Sequence, residues 1–307
     1  MSSTQVLKLM KDKEIEYVDL RFTDPRGKLQ HVTLLSDQVD EEFLLEGMMF
    51  DGSSISGWKS IDQSDMKLIP DTGSSYLDPF YAEKTLCLHC NVVEPDTGES
   101  YDRDPRGTAL RAETYLKSTG IGDVSYFGPE AEFFLFDDVK FSVEMNKVSY
   151  EVDANDASWN SDSDYEIGNM GHRPGIKGGY FPVNPTDAAH DLRSEMLSTM
   201  KRMGMNVDKH HHEVGSTQHE LGLIFSTLTH QADELQKYKY VVQNVAHAYG
   251  KSATFMPKPI SGDNGTGMHV NMSIFKDGSP IFSGDKYADL SQDALYFVGG
   301  LLKHAKA

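Results

Sequence analysis

The chain has 307 residues, 47 acidic against 29 basic, for a formal net charge of −18. Mean hydropathy is −0.47 and 38% of residues are hydrophobic, so a sizeable core fits inside a water-compatible protein of one large or two smaller domains. The negative balance excludes nucleic acid and anionic membrane as partners of choice, because both need a basic surface.

The opening Met1–Lys13 has no apolar h-region and no later stretch reaches the length of a membrane span. The two cysteines, Cys87 and Cys90, do not resemble a secreted disulfide scaffold. A cytoplasmic protein is expected. C-x-x-C without a second pair does not complete a zinc site, and on a strand the odd separation sends the two thiols to opposite faces.

In chain order, residues 1–12 read as a short helix. Residues 15–22 and 28–35 read as strands joined by the Asp24-Pro-Arg-Gly27 turn, a hairpin. Residues 66–69 and 85–93 add strands, so the opening is a small β-rich domain. The polar run Glu94–Gly107 is the boundary, placing domains at 1–103 and 104–307. A helix follows at about 106–119, then strands at about 124–137 and 148–153. Residues 154–180 form a long polar loop, a length that in a compact domain signals function or disorder. Helices are expected at 186–204 and 230–250, and strands at 206–213, 219–226 and 267–275.

Three segments carry candidate chemistry. In Phe127-Gly-Pro-Glu-Ala-Glu-Phe-Phe134, Glu130 and Glu132 share one strand face. Two carboxylates among aromatics repel unless a cation lies between them. A solvated strand face is the plain alternative. In Asp208-Lys-His-His-His-Glu213, alternation puts His211 with Glu213 and His210 with His212, and Glu220 returns after a short turn. Carboxylate-rich sets select hard cations such as Mg2+ or Mn2+. The third is Asn264-Gly-Thr-Gly-Met-His269, a glycine loop that allows close backbone approach. The strand after it is expected to present His269, Asn271 and Ser273 on one face and to bury Met268, Val270 and Met272 on the other. Gly250-Lys-Ser252 ends like a phosphate loop, but it lacks the first glycine and follows a helix. Gly262–Gly267 has the wrong spacing for a dinucleotide fold.

These segments, in this order, resemble type I glutamine synthetase. So do Met49-Phe-Asp-Gly-Ser-Ser-Ile55, Asp102-Arg-Asp-Pro-Arg106, Gly171-His-Arg-Pro174, Gly178-Gly-Tyr-Phe181 and Gly250–Pro259. The resemblance implies an α+β fold: a small N-terminal β-grasp-like domain, then a larger catalytic domain with a curved, mainly antiparallel sheet flanked by helices. It implies ATP-dependent ligation of ammonia to glutamate through γ-glutamyl phosphate, with two divalent ions, Mg2+ or Mn2+. Glu132, Glu213 and Glu220 would hold one ion, and Glu130 and His269 the other. Asp51 would bind and deprotonate ammonium, with Ser54 and Tyr180 lining its pocket. Asn264 and Gly265 would grip glutamate, and Phe225 and Ser273 would touch ATP. The family assembles as a homo-oligomeric ring, two stacked hexamers, in which the first domain completes a neighbour's site.

Departures from the family pattern are Asn271 where histidine is frequent, Thr217 where glycine is common and Ile224 where a basic residue is frequent. By that pattern the chain stops mid-helix, short of a C-terminal part that holds arginines for glutamate and phosphate. A partial, inactive form is therefore expected. A γ-glutamyl-amine ligase and a non-catalytic structural relative are the alternatives.

Overall fold

The computed structural model describes residues 1–159, 164 and 170–306. In chain order the elements are α1 (Ser3–Lys13), β1 (Tyr17–Thr23), β2 (Leu29–Leu35), α2 (Glu41–Glu46), β3 (Met48–Asp51), β4 (Asp65–Pro70), β5 (Tyr76–Leu77), β6 (Thr85–Val93) and α3 (Pro105–Thr119). Then come β7 (Val124–Phe136), β8 (Asp138–Val143), β9 (Val148–Asp153), α4 (His190–Arg202), β10 (Val207–His212), β11 (Gln218–Leu223), β12 (Ser226–Thr227) and α5 (Leu228–Ala248). The last are β13 (Ser252–Thr254), β14 (Met268–Lys276), β15 (Ser279–Pro280) and α6 (Gln292–His304). Contacts divide the chain into two units. The first is Met1–Phe127, Phe225–Asp233 and Asn271–Ala307; the second is Gly128–Ile224 and Glu234–Val270.

In the first unit the sheet order is β2-β1-β6-β4-β3, with β5 beside β6. β1 and β6 run parallel and the other pairs antiparallel. Val6 and Met10 of α1 pack with Val18, Leu20, Leu68, Leu88 and Cys90 into one core. A Ser2–Gln5 capping box starts α1. β1 does alternate, but its polar face is buried as well. Asp19 and Arg21 lie within it, and Arg21 donates to Asp19 and Asp78 at 2.7 Å each and to the Tyr76 hydroxyl at 2.7 Å. A central strand leaves no face for water, so its charges must pair internally. Cys87 sits against this ion network and Cys90 in the apolar core, on opposite faces as expected. Both are free and buried, and burial pushes both thiols far up, so neither is a nucleophile.

α3 starts where Asp104 accepts the N–H groups of Arg106 (3.1 Å) and Gly107 (3.0 Å), with Pro105 at the first helical position. Arg106 is buried and paired with Asp233 and Asp71.

In the second unit the central strand is the stretch of β7 from Gly128 onward. It pairs antiparallel with β11 and β13, and β10 lies outside β11. Tyr238 of α5 is fully buried; its hydroxyl donates to the Ala131 carbonyl (2.6 Å) and accepts the Leu221 N–H (3.2 Å). One side chain thus spaces β7 from β11 directly beneath Glu130, Glu132 and Glu220. β8 and β9 form a separate two-stranded sheet, and only β9 was legible as a strand. β14 corrects an expectation. Met268 and Val270 are 52% and 36% exposed, so its apolar face is not buried in this chain. Of the long polar loop, residues 160–163 and 165–169 lie outside the described residues. No helix among the described residues is long and apolar enough to cross a membrane.

Tyr238→Phe removes a hydroxyl that serves two buried backbone groups. It is expected to lower unfolding free energy by about 1–3 kcal/mol in denaturant titration. An unchanged midpoint would mean the hydroxyl does not hold the two strands.

Candidate metal centre

The strand repeat builds the centre. Ala131 faces the buried side of β7 and so turns Glu130 and Glu132 to the other. Pairing puts Glu132 opposite Glu220 on β11, and Glu220 opposite His211 on β10. Glu213 follows β10, where its N–H donates to the Gln218 carbonyl (2.7 Å). The turn that returns the chain contains Thr217 at φ 55°. That left-handed conformation is strained for a β-branched residue. Thr217 is held there by donating its hydroxyl to the Leu135 carbonyl, while its own carbonyl accepts the Leu135 N–H (3.0 Å).

His211 Nδ1 lies 3.4 Å from Glu213 and its Nε2 3.8 Å from Glu220. His269 Nδ1 lies 3.3 Å from Glu130. Glu132 accepts the Gly267 N–H (2.9 Å) and an N–H of the Gln218 side chain. The second unit therefore brings together all five expected ligands. Two participants escaped the sequence reading as site residues: His211, whose position on the Glu213 face was legible, and Gln218, whose partners are distant in sequence.

Electrostatics tests whether a cation fits. Burial, then the charges of Glu213, Glu130 and Glu132, push Glu220 up to about 7. Burial and Glu213 raise Glu132 too, against the Gly267 hydrogen bond. Oxygen donors that crowd until one keeps a proton suit a hard divalent ion, which replaces that proton.

A second cluster lies on the reverse side of β10 and β11. Asp156, His212 and His219 are buried, with potential ligand atoms within 4.8 Å of one another. It is a poor cation seat. Arg193 donates to His219 Nδ1 (2.9 Å), so the neutral ring carries its proton on Nε2, and the guanidinium repels a dication. Burial and the neighbouring His212 and Arg193 charges keep His219 neutral. His212 instead braces the metal face: its Nδ1–H donates to the Glu213 carbonyl (2.6 Å). Burial opposes charging of His212, but Asp156 at 3.3 Å outweighs it and raises the pKa.

The other expected residues fall as follows. Tyr180 is exposed, stacked on Phe181 (4.0 Å) and edge-on to His211 (5.9 Å). Asn264 follows buried Asp263, which accepts the N–H groups of Asn264 and Ser216 at 2.9 Å each. The Gly265 carbonyl accepts from Gln218 (2.8 Å). Asp51, Ser54, Phe225 and Ser273 belong to the first unit. Asp51 is exposed and accepts from the Ser53 hydroxyl (2.6 Å), the Ser53 N–H (2.8 Å) and the Ser54 hydroxyl (3.3 Å), which hold its carboxyl below the usual range. Phe225 is exposed and packs on Tyr126 (5.6 Å). Ser273 lies on β14, half-buried.

Comparison with known proteins places this arrangement. The model of the glutamine synthetase catalytic domain matches residues 102–307, and that of the glutamine synthetase β-grasp domain matches residues 14–95. The chain belongs to the glutamine synthetase family. A glutamine synthetase of Rhodobacter capsulatus is 73% identical over 303 residues, covering 99% of this chain and 69% of that protein. One from Rhizobium meliloti is 57% identical, covering 100% of this chain and 65% of that protein. A solved glutamine synthetase of Plasmodium falciparum superposes with a TM-score of 0.91 at 28% identity, covering 100% of this chain and 60% of that one. The chain thus spans about two thirds of the length of these relatives, and the likeness confirms the α+β architecture with its N-terminal β-grasp domain.

Two predictions follow from the geometry. Glu220 has a folded pKa near 7 against an ordinary 4.5. Its contribution to stability is complete below the lower value and is lost as pH rises to the upper. Relative to Glu220→Gln, the metal-free chain is therefore expected to lose thermal stability from about pH 4.5 to 7, and saturating Mn2+ to remove that loss. A metal-free chain that gains stability relative to Glu220→Gln over this window would contradict the crowding. A Cβ at Gly179 would sit 2.5 Å from the Glu213 carbonyl oxygen and 2.7 Å from His212 Cε1. Gly179→Ala is expected to weaken Mn2+ binding roughly tenfold to a hundredfold by calorimetry, and unchanged affinity would refute this bracing.

Proposed function

We propose that this chain supplies the glutamate–ammonia ligase site of a glutamine synthetase. Glutamate and ATP form γ-glutamyl phosphate with release of ADP, and ammonia then displaces phosphate to give glutamine. The observation that carries the reading is the register that sets Glu132 opposite Glu220, beside Glu213, with Glu130 and His269 as a second group.

Glu132, Glu213 and Glu220 hold one divalent ion, Mg2+ or Mn2+, and Glu130 and His269 contribute to a second. Bound ions neutralise and align the triphosphate. That role answers the charge problem of the sequence, because a protein at −18 otherwise repels both glutamate and ATP. Asn264 and Gly265 hold glutamate, with Asp263 and Gln218 fixing their backbone. Phe225, exposed beside Tyr126, and Ser273 contact the nucleotide. Asp51 is kept ionised by Ser53 and Ser54, the state needed to bind ammonium and take its proton; Ser54 and Tyr180 line that pocket. Asp51 acts in the site of a neighbouring subunit, which makes the working form a homo-oligomeric ring.

The test is ATP-dependent glutamine formation from glutamate and ammonium with Mg2+, by the natural protein that carries these 307 residues. Glu132→Ala is expected to lower kcat/KM on the order of 100-fold or more and to abolish stabilisation by Mn2+. Stabilisation that survives Glu132→Ala would refute the metal assignment. Turnover of an alkylamine in place of ammonium would move the reading to a γ-glutamyl-amine ligase.

A further inference from the structure

Gln218 is 1% exposed and uses every polar atom of its side chain. Its Nε2 donates one N–H to the Glu132 carboxylate and the other to the Gly265 carbonyl (2.8 Å), and its Oε1 accepts the Gly215 N–H (3.0 Å). The orientation of the amide follows from these partners. Flipped, its oxygen would face a carboxylate and a carbonyl, and its NH2 would face an N–H. Its main-chain carbonyl accepts the Glu213 N–H (2.7 Å). One residue thus touches two expected metal ligands and the loop expected to grip glutamate. A single nitrogen bridges Glu132 to that loop.

We propose that Gln218 is a positioning residue that couples the two events: a divalent ion on Glu132 orders the Asp263–Gly267 loop for glutamate through the Gln218 amide. This rests on the metal and glutamate assignments above. The physical basis is the shared donor. A cation bound to Glu132 fixes that carboxylate in place, with the Gln218 N–H already directed at it. The Gln218 N–H then has one fixed acceptor, and its second N–H holds the Gly265 carbonyl at a defined point. Further ties attach the same loop: the Gly267 N–H to the Glu132 carboxylate, the Glu132 N–H to the Gly267 carbonyl (3.2 Å), the Ser216 N–H to Asp263 and the Thr266 N–H to the Pro257 carbonyl (2.8 Å). They explain why the loop keeps its fold without the ion. They do not replace the amide, because none of them reaches the Gly265 carbonyl. Linkage makes the coupling reciprocal, so glutamate tightens the ion by the factor the ion tightens glutamate.

The experiment is hydrogen exchange at the Asp263–Gly267 amides with and without Mn2+ alone. It is run on the protein and on Gln218→Met, which is uncharged, similar in length and without donors. Calorimetry reports Mn2+ binding in the same samples. In the unaltered protein Mn2+ is expected to slow exchange in this segment about tenfold, the scale of one hydrogen bond to a charged group. In Gln218→Met the ion still binds but the slowing disappears. Gln218→Glu, which keeps an acceptor for Gly215 and loses both donors, is expected to behave alike. A purely structural role would shift exchange equally with and without Mn2+, and that outcome overturns the proposal. So does Mn2+-dependent slowing that persists in both variants, or the failure of both to fold. Absence of Mn2+ binding to the unaltered protein is the separate result that fails the metal assignment itself.

Discussion

Like charges held closer than they would choose are the constraint on which the second unit depends. The two-residue repeat of β7 and its pairing with β11 leave Glu132 and Glu220 facing each other, and Glu213 is delivered to the same face by the turn after β10. Mutual repulsion and partial burial disfavour ionisation of all three together, so the cluster keeps a proton near neutral pH. A hard dication resolves the conflict where a histidine or lysine would not, because it can accept several oxygens at once.

The rest of the unit holds that conflict in place. Tyr238 fixes the spacing of β7 and β11 from beneath, through the backbone of Ala131 and Leu221. Behind β10, Asp156 orients His212 onto the Glu213 carbonyl, and Gly179 is small enough to let its loop segment press against both. Thr217 accepts a left-handed backbone to close the turn, tied to Leu135 on both its polar groups. Each of these braces acts on backbone or on a neighbouring ring, and none of them occupies a carboxylate oxygen of the cluster.

Much of this was legible in the sequence, and for a physical reason. Period-two alternation reports side-chain direction locally, so Glu130 with Glu132 and His211 with Glu213 could be placed on shared faces from spacing alone. The order of motifs along the chain, not any single one, pointed to the family. What stayed hidden depends on partners far along the chain. Gln218 looks like an ordinary strand glutamine until residues 132 and 265 fold against it. The polar face of β1 looks solvated until Asp78 and Tyr76 arrive to pair Arg21. β14 erred in the other direction. Its alternation is real, but alternation names the two faces without saying what covers either, and Met268 and Val270 are open in this chain.

The central claim is that the cluster gives up a proton to accept a metal ion. The direct measurement is calorimetric titration of the metal-free protein with Mn2+ at pH 6, in buffers that differ in ionisation enthalpy. Glu220, with a pKa near 7, is then mostly protonated. The account predicts saturable binding with proton release that shrinks as the pH is raised toward 8. Saturable binding without proton release would contradict the account, as would no binding at all.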